Sequence, residues 1–122
     1  KWSFVEVEGR MSIITKNIFD LRRFQKLDDP REAGFQERRE HLNIIQKLLL
    51  SSSNGYREKF ELSTKDLEDL KKAIDFQKSL LRICQIIGDN EKIENCKKQI
   101  DVWNTLLEKH AAQLEEEKKK RR

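Results

Sequence analysis

Two histidines, two cysteines and a terminal run of cations are the residues of this chain best suited to chemistry. His41 and His110 lie far apart in sequence, and neither begins a His-Glu-x-x-His pattern. No Gly-x-Ser-x-Gly or calcium-loop sequence occurs, and the four glycines are isolated rather than gathered in a phosphate-binding loop. His110 falls at an inward helical position, where a half-buried, hydrogen-bonded imidazole is expected rather than a ligand or base. Cys84 and Cys96 form no Cys-x-x-Cys motif, and both sit on apolar stripes. They read as buried free thiols in a reducing compartment, with a disulfide between them as the sharper alternative. The carboxylates lie on polar faces. The sequence therefore predicts no catalytic, cofactor-binding or metal-binding residue, no cofactor and no enzyme.

The cationic run is Lys118, Lys119, Lys120, Arg121 and Arg122. Its five charges account for the sign of the whole chain: the formal +4 falls to −1 once they are removed. A mixed-charge body disfavours nucleic-acid binding through a broad basic face, so nucleic acid is expected only through this tail. The plainer reading joins Glu115–Glu117 to Lys118–Arg122 as one exposed helix with Glu–Lys pairs along it. The competing one is a nuclear-localisation or anionic-surface tail.

These residues must be positioned by helices. Of 122 residues, 39% are charged, with one proline and four glycines, which suits long solvated helices and argues against sandwiches and barrels. A chain of this length buries roughly 65% of its unfolded surface, enough for one core. From Leu67 to Ile87 apolar or small residues recur every three or four positions, and after Gly88 the pattern restarts from Ile93 to Leu114. Folded at Asn90, the two series face each other: Cys84 meets Cys96, Leu81 meets Ile100, and Gln77 meets Trp103. That is an antiparallel helical hairpin. Its first helix carries a second stripe, Ala73, Phe76, Leu80, Ile83 and Ile87, so it is expected to be central.

The full expectation is an all-α antiparallel four-helix bundle, or a three-helix bundle with its last helix extended as coiled coil. The helices are placed at about 3–27, 31–50, 64–87 and 90–118. Residues 1–114 form the bundle domain and 115–122 a charged helical extension or tail. In the first helix Phe4, Val7, Met11, Ile14, Ile18 and Leu21 step by threes and fours and are expected to point inward. Asp29-Pro30-Arg31-Glu32 supplies start signals for the second helix, with Gly34 able to delay its entry to Phe35. Ser51–Leu62 is expected to be a long connection.

One anomaly points outward. Trp2, Ile13 and Phe24 recur at eleven-residue intervals, which on a continuous helix places them within about 40° of each other, away from the inward stripe. Leu27 lies nearby. Trp2, Ile13, Phe24 and Leu27 are therefore the candidate partner-binding residues.

The chain also resembles, over about half its length, the N-terminal helical domain of Golgi and endosomal syntaxins of the syntaxin-6 type. Phe4-Val5 opens a helix, Asp29-Pro30 follows it, and Lys59-Phe60-Glu61-Leu62 precedes Asp66-Leu67 and Lys72-Ala73. The resemblance implies a regulatory role in membrane traffic through partner binding. From the residues themselves the expected function is a non-enzymatic protein–protein interaction domain, a scaffold or adaptor. It would bind another protein or itself through helical faces. The start at Lys1 reads as a domain excised from a larger intracellular protein. Its expected place is the cytoplasm, with the nucleus as the alternative; no apolar run is long enough to span a membrane.

Overall fold

The computed structural model describes residues 2–121. Five α-helices make up the fold: α1 (Ser3–Ile18), α2 (Leu21–Lys26), α3 (Phe35–Lys59), α4 (Leu67–Ile87) and α5 (Asn90–Lys120). A π-helical turn, Phe60–Thr64, prolongs α3. There is no strand among the described residues, and the expected all-α, bundle-like fold is the one observed. No helix among those residues is long and apolar enough to cross a membrane.

Helix α4 is central, as its double stripe requires. Ala73, Ile74, Phe76, Leu80, Ile83 and Cys84 are all buried. Asp66 caps its start by accepting the Glu68 N–H at 2.9 Å. Gly88 ends it in the left-handed conformation, φ 74°, which L-residues with a Cβ rarely adopt. Asp89 then caps α5 through the Lys92 N–H at 3.2 Å. The turn returns α5 along α4 and brings Cys84 close to Cys96, the layer expected next to the turn, and Gln77 and Trp103 are both buried.

Helix α3 packs on the other side of α4 through Leu42, Ile45 and Leu49, with Phe60 and Leu70 closing the same core. Helix α1 lies on α3. Each long helix thus packs on its neighbour in the chain, and a groove remains between α3 and α5.

Four boundaries differ from the expectation; the helix expected from 64 starts at Leu67, because Phe60–Thr64 forms the π-helical turn and Asp66 is the cap. The first helix, expected over 3–27, breaks at Phe19-Asp20. Phe19 is extended (ψ 122°), and the Asp20 carboxylate accepts the Arg23 N–H at 3.1 Å to start α2 afresh. The second helix starts at Phe35, after Gly34, rather than at 31. It also runs on to Lys59, through residues expected to form a connection. Ser52 and Ser53 are buried there, and the Ser53 hydroxyl donates to the Ala73 carbonyl at 3.0 Å. Small side chains that favour turns in isolation are here the means of bringing α3 close to its neighbours.

Candidate functional site

Helix α1 is fastened to α3 by its small residues. The Ser12 hydroxyl lies 2.7 Å from the Ser52 hydroxyl and 3.1 Å from the Leu48 carbonyl. A Cβ on Gly9 would sit 2.9 Å from the Tyr56 ring, and one on Gly55 would sit 3.2 Å from the Val5 side chain. The Tyr56 ring and the Val5 side chain lie this close to the facing helix only because those atoms are missing. At the N-terminal end of α1, the Lys59 ammonium reaches Glu6 at 3.1 Å and Asp69 at 3.4 Å, joining α1, α3 and α4 through one cation. The hydrogen bond to Lys59 holds the Glu6 carboxyl below its usual range, and the bond to Glu6 raises the Lys59 ammonium. Ser51 adds a hydrogen bond to the Glu8 carboxylate at 2.6 Å.

This anchoring turns the large apolar stripe of α1 outward. Phe4, Val7, Met11, Ile14 and Ile18 are between 52% and 73% exposed. They were expected to face the core, so this is a correction. The contact face is the set one position along, Val5, Gly9 and Ser12, and one residue on a helix is a turn of about 100°. The exposed set keeps the alternating three-four spacing of a coiled-coil seam, with Glu8 and Thr15 on one flank and Arg10 and Asn17 on the other.

The candidate residues taken from the sequence do not form one face. Phe24 is only 2% exposed; its ring sits 5.7 Å from that of Phe19 and takes the Arg39 guanidinium at 5.6 Å. Trp2 and Leu27 are half-buried. Ile13 is 47% exposed and lines a shallow groove of about 260 Å3 with Lys16, Leu49 and Phe76. The line drawn through Trp2, Ile13 and Phe24 assumed a continuous helix, and the break at Asp20 removes it. Lys118, Lys119, Lys120 and Arg121 are exposed at the end of α5; Arg122 lies outside the described residues. The sequence signal for the true contact face was the string of small residues, Gly9 and Ser12 on α1 with Ser52 and Gly55 on α3.

The groups with chemical potential are occupied structurally. His110 makes an edge-on contact with Phe60, and His41 with Phe19, both at 5.1 Å between ring centres. Cys84 and Cys96 are free and buried. Burial, with Cys96 close by, pushes the Cys84 thiol up to about 11, and burial raises Cys96 as well. Such thiols stay protonated and are poor nucleophiles at neutral pH. Among the described residues no three His, Cys, Asp or Glu side chains are grouped to hold a metal.

Fold and surface together define an all-helical protein with one helix whose apolar seam lies open. A model of the TP0443 family matches residues 1–111, and the chain belongs to that family. No curated protein and no solved structure matches it.

Proposed function

We propose that this chain is a non-enzymatic protein–protein interaction domain, a scaffold or adaptor. Its seam on α1 pairs with the same seam of a second copy. The observation that carries this reading is the exposed row of Phe4, Val7, Met11, Ile14 and Ile18 on a helix anchored through its other side. A contiguous apolar row is costly to leave in water, and its narrow width suits a single facing helix. The row is also self-complementary. In an antiparallel pair about a twofold axis at Met11, Phe4 meets Ile18 of the second copy and Val7 meets Ile14. No charged residue falls on the seam, and the same patch serves both copies.

Sedimentation equilibrium from micromolar to millimolar protein tests this reading, comparing the wild type with the double variant M11S/I14S. The expected result is a monomer–dimer equilibrium for the wild type and a monomeric variant whose melting temperature matches that of the wild type diluted to its monomer. A wild type that stays monomeric throughout, or a variant that dimerises equally well, overturns the pairing.

A second reading concerns the end of α5, where Lys118–Arg121 are exposed and, among the described residues, make one weak ion pair, Lys118 to Glu115 at 3.8 Å. It makes the tail a contact for nucleic acid. Binding of a DNA duplex at low salt should then disappear on deletion of 118–122 and weaken steeply as salt rises.

A further inference from the structure

A groove of about 580 Å3 lies between α3 and α5, with Leu80 and Gln77 of α4 at its floor, and no residue of α1 lines it. Three of its lining residues, Lys47, Lys92 and Lys98, are cations, and none is an acid. On a body that carries a formal −1 overall, that is a local excess of positive charge. Lys47 and Lys98 enter no ion pair among the described residues, and Lys92 has only Asp89 at 3.8 Å.

The inner wall carries an unmet donor. Gln46 is 6% exposed and lines the groove. The Lys92 ammonium donates to Gln46 Oε1 at 3.3 Å. An ammonium has no lone pair to offer, so this contact fixes which end of the amide is oxygen. The other end, Nε2, is buried and has no acceptor. Buried donors are normally satisfied, so the wall is under-bonded at this amide, and the exposed Lys92 ammonium beside it offers the groove a cation for a negatively charged acceptor.

The remaining lining says what kind of ligand. Asn43, Asn54, Asn95 and Gln99 join Gln46 and Gln77 in giving the groove six side-chain amides. Each amide offers both a donor and an acceptor, the complement of a peptide backbone that alternates N–H and C=O. Leu50 and Leu80 provide an apolar patch between them. The α3 wall from Asn43 to Asn54 is about 16 Å long at 1.5 Å per residue, room for about five residues of extended chain. We infer that the groove binds an extended acidic peptide segment of about this length. One of its carboxylates pairs with the exposed Lys92 ammonium, and an apolar side chain rests on Leu50 and Leu80. This site is separate from the seam on α1 and does not depend on pairing there.

The test is a titration of the isotope-labelled chain followed by NMR. The probe is the peptide Ac-Glu-Glu-Leu-Glu-Glu-amide; the uncharged Ac-Gln-Gln-Leu-Gln-Gln-amide and the free dicarboxylate glutarate serve as comparisons. The acidic peptide should shift the side-chain amide signals of Gln46 and Gln77 and the backbone signals of 92–99. The uncharged peptide should bind at least about tenfold more weakly. The double variant K92Q/K98Q should lose about tenfold in affinity with its melting temperature unchanged. Four results would each overturn the inference: no shift of the Gln46 amide, equal binding of the two peptides, glutarate binding as tightly as the peptide, or shifts confined to Lys118–Arg121.

Discussion

Helix α3 meets its two neighbours by opposite means. Toward α4 it presents Leu42, Ile45 and Leu49, and the joint is filled by large apolar side chains. Toward α1 it presents Ser52, Gly55 and the Tyr56 ring, which meet Ser12, Val5 and Gly9, and that joint is made by side chains seated on glycine and by hydroxyl hydrogen bonds. The first contact displaces water from a large apolar area, which is where folding free energy is greatest. The second draws on dispersion between side chains and glycine and on a few polar bonds. Size of side chain and closeness of contact are thus separate quantities. A helix can be firmly seated on its small residues while its large ones stay in water.

The sharpest way to separate the two joints is to damage each in turn. Leu49→Ala removes a fully buried side chain from the α3–α4 joint. It should cost about 2–5 kcal/mol, read as a lower urea midpoint with cooperativity kept. If the loss is no larger than that of an exposed substitution, the contrast drawn here collapses.

Gly9→Leu attacks the other joint, because even a Cβ at this position would stand 2.9 Å from the Tyr56 ring. The expected cost is about 1–3 kcal/mol, localised in α1. Hydrogen exchange should show faster exchange of the 3–18 amides while those of α4 keep their protection. Uniform loss of protection over both helices would show that the two joints form one cooperative unit.

The thiol layer gives a smaller effect with a defined sign. Cys84 titrates near 11 in the folded chain, above its ordinary value of 9.0. Its neutral form is therefore favoured by folding. That contribution is complete below pH 9 and is lost as pH rises toward 11, because the unfolded thiol releases its proton first. Cys84→Ala should flatten the fall in stability across this alkaline window. An unchanged slope would mean that the fall arises elsewhere.

The smallest effect is expected at the seam. Met11→Ser with Ile14→Ser alters two side chains that are both more than half exposed, so monomer stability should move by no more than about 0.5 kcal/mol. A loss as large as that from Leu49→Ala would place those residues in the core after all.

The α4–α5 hairpin was legible because its layers consist of large residues at regular spacing and its turn has explicit chemistry. Gly88 ends α4, Asp89 caps α5, and Cys84 lies close to Cys96. The orientation of α1 was not legible from the same rule. Phe4, Val7, Met11, Ile14 and Ile18 form as regular a stripe as any in the chain, but Gly9 and Ser12 decide which side meets α3. The course of α3 past Leu50 was hidden for a related reason. Ser51-Ser52-Ser53-Asn54-Gly55 has the composition of a turn, and only the neighbours show that two of those serines are buried spacers. The break at Asp20 is a capping signal that was present in the sequence, and reading the helix as continuous concealed it. The groove between α3 and α5 lay beyond any periodicity, because it is bounded by residues on the polar flanks of both helices.

One dimension of α5 has an electrical consequence. From Ala112 onward every described position is exposed, and residue 111 is also where the match to the TP0443 family ends. The helix continues to Lys120, which carries its end about 14 Å past the packed body at 1.5 Å per residue. At physiological ionic strength the field of an exposed charge decays over about 8 Å. The cations at the tip are therefore screened from the mixed charges of the bundle and act as an independent pole. Alterations to that pole can change what it attracts while leaving the potential around the seam and the groove as it was.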